Sequence, residues 1–146
     1  MLSNYSKWIV KMEFSNQEVQ RVFEQYPALI KQNLLTIRQW IFEVAKDNQQ
    51  IGELEECLKW DSPSYITQHP KSGTTLRLSR PKSNATEYGL FVHCQTNLVT
   101  EFQIAYPNLK YDKNRGVLFD SQQPIQIEVI KQFIFLALTY HSRKKS

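Results

Sequence analysis

Trp60, Tyr65, Arg77 and His93 are the side chains in this sequence best suited to holding a ligand. Two aromatic rings offer apolar walls, and the guanidinium offers a planar, permanently charged fork for a carboxylate or phosphate. Converging on one concave surface, with His93 at its edge, they would form a site for a small anionic ligand. Trp60 and Tyr65 belong to the stretch GELEECLKWDSPSYIT, which runs from Gly52 to Thr67 and also carries Glu53, Glu55, Glu56 and Asp61. It is the densest mixture of polar and aromatic groups in the chain. A plainer reading makes Trp60 a lid on the core, Tyr65 a cross-strand partner and Arg77 an exposed strand residue paired with Glu87.

Catalytic chemistry has no comparable support. His69, His93 and His141 are scattered, without the HExxH or HxxxH spacing that sets two imidazoles on one helical face. His93 and Cys94 are neighbours in an extended segment, so their side chains point to opposite faces and do not pair as base and nucleophile. GxSxG, Walker A and GxGxxG patterns are absent from a sequence with only four glycines. The expectation is a non-enzymatic module. Cys57 and Cys94 lie far apart, match neither a CxxC motif nor a disulfide framework, and are expected to be buried thiols.

The elements that must position these residues follow from periodicity. Ser15 and Glu18 have capping-box spacing ahead of a helix whose inward residues are Val19, Val22, Phe23 and Tyr26. Pro27 suits the first turn of a second, longer helix. There Ile30, Leu34, Ile37, Ile41 and Val44 form an apolar stripe, with Lys31, Arg38 and Lys46 off it. Glu53, Glu55 and Glu56 then open a short helix, carboxylates at the positive end of the dipole, with Leu54, Cys57 and Leu58 inward. Beyond Pro63 the period changes to two. Tyr65 and Ile66 form a short strand that makes a hairpin with Thr74 to Ser79, where Leu76 and Leu78 face one way and Arg77 the other. Tyr88 to His93 reads as a central strand covered on both faces. Thr96 or Asn97 caps a helix that stops before Pro107, and a loop leads to a strand from Gly116 to Phe119. A final helix buries Ile127, Ile130, Ile134, Ala137 and Leu138. The pattern predicts an α+β fold, an antiparallel sheet packed against helices in a single domain.

Composition bounds the partners. The formal net charge is +4, but Arg143, Lys144 and Lys145 supply three of the 18 basic residues, and the remainder nearly balances 14 acidic ones. Without a wider basic patch, nucleic-acid binding is disfavoured. No apolar run approaches the roughly 18 residues of a membrane span, and the N-terminus lacks a signal-peptide pattern. A cytoplasmic, reduced setting is expected. Residues 1–14 form an N-terminal extension, 15–141 the domain and 142–146 a basic tail. Trp8, Phe14 and Trp40 offer an aromatic surface for a protein partner or for a homodimer.

The blocks VFEQYP at Val22 to Pro27, ELEECLKWDSPSY at Glu53 to Tyr65, SGTTLRL at Ser72 to Leu78, YGLFVHCQT at Tyr88 to Thr96 and ALTYH at Ala137 to His141 resemble the YdhG-like family of bacterial domains. The order Lys59, Trp60, Pro63, Tyr65 is the most specific part. The resemblance implies an α+β fold with an antiparallel sheet. One branch of that family is described as an intracellular iron chaperone with a frataxin-like role. Carried onto this chain, such a role would fall to Glu53, Glu55, Glu56 and Asp61, whose oxygens suit Fe(II) in a weak, open site.

Overall fold

The computed structural model describes residues 13–144. Trp8 and the rest of 1–12 lie outside the described residues, as do Lys145 and Ser146.

Helix α1 (Gln17–Glu24) is capped by Asn16, not Ser15. The Asn16 side-chain oxygen accepts from the backbone N–H groups of Glu18 and Val19 at 3.0 and 3.2 Å, which leaves Glu18 one position too early for a reciprocal box. Val19 and Phe23 are the buried face of α1. Pro27 precedes helix α2 (Ala28–Asp47), where its missing N–H is of no consequence. The expected stripe of Ile30, Leu34, Ile37 and Ile41 is buried, but so are Arg38 and Trp40. The Trp40 ring lies 5.6 Å from the Lys131 ammonium, and Phe14 packs 5.4 Å from Phe23. Phe14 and Trp40 are thus engaged in the chain's own packing, while Trp8, the third residue of the expected aromatic surface, lies outside the described residues.

The stretch expected as a short helix at Glu53 is strand β1 (Glu53–Lys59), joined by a two-residue turn to β2 (Ser62–Gln68). Leu54 and Leu58 have helical spacing, but Leu54, Glu56 and Leu58 also obey a period of two. A segment this short does not separate the two patterns by itself. The ladder decides it: seven residues of each strand pair, from Glu53 with Gln68 to Lys59 with Ser62. Trp60 and Asp61 form the turn, both at positive φ.

Strands β3 (Leu76–Ser79), β4 (Glu87–Phe91), β5 (Lys110–Asp112) and β6 (Gly116–Asp120) complete a six-stranded antiparallel sheet in the order β1-β2-β3-β4-β6-β5. β5 falls where a loop was expected, since three residues with a single apolar one carry no readable alternation. Helix α3 (Leu98–Ala105) lies between β4 and β5, and α4 (Ile127–Leu138) and α5 (Tyr140–Lys144) end the chain. No helix is long and apolar enough to cross a membrane.

One face of the sheet carries the core. Tyr65, Leu76, Leu78, Tyr88, Leu90, Val117 and Phe119 join the inward residues of all the helices in a single buried cluster. Arg143, the first of the terminal basic residues, is tied to this body. It donates to the Leu136 carbonyl at 2.7 Å and to the Thr139 hydroxyl at 2.9 Å, satisfying a helix-end acceptor as cations commonly do.

The half-buried Tyr26 and the buried Tyr65 and Tyr88 give the core an alkaline limit. Burial pushes Tyr26 up to about 12 against the opposing charge of Arg80. It pushes Tyr88 up to about 12 with help from Asp120, and Tyr65 well above the ordinary phenol value. A group whose pKa is raised on folding contributes stability that is complete below the unfolded value near 10 and is lost as pH rises towards the folded one. The urea midpoint is therefore expected to fall from about pH 10 upward. A midpoint constant between pH 10 and 12 would show that the three phenols are not held neutral by the fold.

Candidate functional site

The opposite face of the sheet is chemically different. Antiparallel partners share a face, so the pairings set Cys57, Ser64, Arg77, Phe91, Gly116 and Asp112 in one row across it. Phe91 and Leu118 are buried but stand apart from the core cluster, as residues of this outer face should. Every helix contributes its buried side chains to the inner cluster, so among the described residues the outer face has no helix over it.

The floor of this face is made of small residues. Ser62, Ser64, Ser79, Gly89 and Gly116 lie on β2, β3, β4 and β6 around Arg77 and Phe91. A methyl group at Gly116 would collide with the Phe91 ring, and one at Gly89 would come within 3.1 Å of it. The two glycines let the ring lie flat on the sheet. The Ser64 hydroxyl donates to the Ser62 carbonyl at 2.9 Å, which ties down the only other polar group beside Arg77 in its row on β2.

Arg77 stands half-buried between Ser64 and Phe91. Among the described residues its guanidinium has no ion pair and no hydrogen bond. Glu87, expected as its partner, instead takes Lys110 at 2.5 Å across the β4–β6–β5 end of the sheet. Desolvation lowers the Arg77 pKa first, and the nearby positive charge of Arg115 lowers it further. Arg115 itself is held by Asp112 at 3.2 Å. Two guanidiniums thus face one patch that holds a single carboxylate, already engaged.

The structure separates the other candidates. Tyr65 is on the inner face and fully buried; its hydroxyl donates to Glu56 Oε2 at 2.7 Å. Glu56 is gripped by Arg38, whose Nη2 donates to Oε1 at 2.9 Å, and both side chains are about 5% exposed or less. The Arg38 guanidinium lies 3.8 Å from the Phe14 ring centroid and 5.2 Å from that of Phe42. Tyr65 and Glu56 therefore belong to a buried polar cluster, not to the surface that carries Arg77. Nothing marked Arg38 in the sequence as more than an off-stripe cation. The available signal was its position beside the stripe together with a carboxylate at an inward strand position.

Trp60, expected as a lid on the core or a wall of a pocket, projects from the hairpin tip and is 88% exposed. His93 lies just past β4 and is exposed, its Nδ1 accepting from the Gln95 N–H at 3.1 Å; no contact joins it to Arg77. Glu53 and Glu55 are exposed on the outer side of β1, with Glu55 bonded by the Gln68 amide, while Asp61 sits in the turn. Because Glu56 faces the other way, the four carboxylates do not share one centre. Among the described residues no three His, Cys, Asp or Glu side chains are grouped as metal ligands. Neither cysteine is fully buried, contrary to expectation: Cys57 is half-buried and Cys94 exposed. Burial, and after it the charge of Glu55, pushes the Cys57 thiol up. A shallow, open depression at the start of α1, lined by Ser15, Asn16, Gln17, Glu18 and Arg21, holds none of these residues.

This combination of one helix-covered face and one open face in a six-stranded antiparallel sheet defines an α+β sandwich of the kind found in the DUF1801 family. One solved structure that matches is YdhG from Bacillus subtilis, a protein of the DUF1801 family, with a TM-score of 0.59 and 14% sequence identity over 83% of this chain and 89% of that one. The likeness shows the fold, in agreement with the resemblance drawn from the sequence blocks. No family model and no curated protein matches the sequence.

Proposed function

We propose that the protein is a non-enzymatic module that binds a small anionic ligand on the outer face of its sheet, anchored by Arg77. The observation that carries this reading is a half-buried guanidinium without a carboxylate partner among the described residues. A charge withdrawn from water without compensation is costly, and a carboxylate or phosphate docked on the fork restores the lost interactions with two parallel hydrogen bonds. Its neighbours in the row, Ser64 and Phe91, bring no charge of their own. Phe91 supplies an apolar wall, and Arg115 adds positive charge to the approach.

The test is the melting temperature in the presence of inorganic phosphate, pyrophosphate and citrate at constant ionic strength. At least one of these is expected to stabilise the wild type by mass action. Arg77→Ala should lose the shift, and Arg77→Lys should keep only part of it, because an ammonium cannot reproduce the planar fork. Equal shifts in wild type and Arg77→Ala would place the anion elsewhere.

A further inference from the structure

We propose that the free edge of β1 pairs with the same edge of a second copy of this chain, antiparallel and centred on Glu56, so that two sheets join into one. β1 ends the sheet. Because the Trp60-Asp61 turn has positive φ at both positions, Lys59 and Ser62 close the hairpin as a hydrogen-bonded pair. The alternation of an antiparallel ladder then directs the backbone groups of Glu53, Glu55, Cys57 and Lys59 towards β2 and those of Leu54, Glu56 and Leu58 away from it. Among the described residues those outward N–H and C=O groups meet no partner. Helix α1 packs on β1 and β2 alike, over the inner face, and does not run along the edge.

An edge strand is ordinarily protected by its charges. Here the charges at the two ends of the strand, Glu53 and Lys59, are self-complementary. Turning β1 about a two-fold axis at Glu56 sets Glu53 opposite the partner's Lys59, Leu54 opposite the partner's Leu58 and Glu55 opposite the partner's Cys57, each pair occurring twice. The hydrogen-bonded positions of this register are Leu54, Glu56 and Leu58, the three whose backbone groups point outward. The axis itself opposes Glu56 to the partner's Glu56 on the inner face, where each carboxylate is held by its own Arg38. An axis at Glu55 would instead oppose two exposed glutamates that no cation holds among the described residues, and an axis at Cys57 would shorten the ladder and leave Glu53 without a strand partner.

The same register carries each exposed Trp60 along the partner's strand towards its Glu53 end, where the indole gains cover that one copy does not give it. The pairing is isologous and closes at two copies, since the other edge of the sheet is the three-residue β5. A single strand pair belongs to the small interface class, below about 1,200 Å² in total. Association is accordingly weak, dependent on concentration and sensitive to salt.

The experiment uses the full chain with Cys94→Ser, to remove the exposed thiol, and Glu55→Cys. Opposed residues in a non-hydrogen-bonded pair have Cα atoms about 4.5 Å apart, within the range a disulfide spans. Glutathione redox buffer is expected to give a covalent dimer, and addition of Cys57→Ser should abolish it. In sedimentation equilibrium, Lys59→Glu should weaken self-association of the otherwise unmodified chain about tenfold or more. The swap Glu53→Lys with Lys59→Glu should restore it, which separates charge pairing from a folding defect. A single-chain mass across the concentration series without covalent dimer overturns the proposal. So does a cross-link through Cys57 alone in the Cys94→Ser chain, since that belongs to the register centred on Cys57.

Discussion

Arg38→Ala is expected to cost about 3–5 kcal/mol of unfolding free energy, the range for removing one member of a buried ion pair. The loss has identifiable parts. Glu56, its side chain about 5% exposed, would be left without its ion-pair partner, the Tyr65 hydroxyl being the one donor that remains to it among the described residues. The rings of Phe14 and Phe42 would lose the guanidinium that lies against them at 3.8 and 5.2 Å. Glu56→Gln keeps the shape and removes the charge, and is expected to cost less than Glu56→Ala. Replacing both members by apolar residues, Arg38→Met with Glu56→Leu, should recover much of the loss, because desolvation of the two charges is then avoided altogether. Urea denaturation of the four variants measures the set. A loss below about 1 kcal/mol for Arg38→Ala, the range of exposed pairs, would mean that solvent reaches Glu56 in the native protein.

That cluster also shows what the sequence could and could not carry. The stripe of α2 and the strands β3 and β4 were legible because each repeats one period long enough to be read, whereas of β2 (Ser62–Gln68) only Tyr65 and Ile66 were, since Pro63 and the serines beside it resemble a corner. β1 was not, because Leu54 and Leu58 satisfy both a four-residue and a two-residue spacing, and because three glutamates resemble a helix start. Misreading that one segment displaced the candidate site. As a helix, it would gather Glu53, Glu55 and Glu56 on one turn; as a strand, it divides them between two faces and sends Glu56 to Arg38. Arg38 was invisible because a period identifies apolar residues on a buried face, not a cation that is buried only because a distant strand supplies its counter-charge. Arg77 was legible, since alternation alone assigns it to the face opposite Leu76 and Leu78. Its lack of a partner was not, because the contact between Glu87 and Lys110 depends on β5, which has no pattern of its own.

Replacing the turn Trp60-Asp61 by Asn-Gly is expected to raise stability by about 1–2 kcal/mol, the cost of holding an ordinary L-residue in the left-handed region. Both turn residues have φ between 55 and 60°. This geometry is required by a two-residue hairpin, since its twist matches that of the strands, and Asn-Gly adopts it most readily. Asp tolerates it, but a bulky indole does not, and conformations of this kind concentrate where something other than stability is served. Trp60 receives no packing in return, being 88% exposed. Inside this chain, therefore, the residue is a net loss, which either of the two contacts proposed above would offset from outside the chain. The guanidinium chloride midpoint of the Asn-Gly variant tests the first half of this argument, and a midpoint below that of the wild type would show that the indole does pack on the fold. The second half is tested by the same variant in the anion melting series and in sedimentation equilibrium. Loss of the anion shift would make Trp60 part of the Arg77 site, whereas weakened self-association with the shift intact would assign the indole to the pairing of two β1 edges.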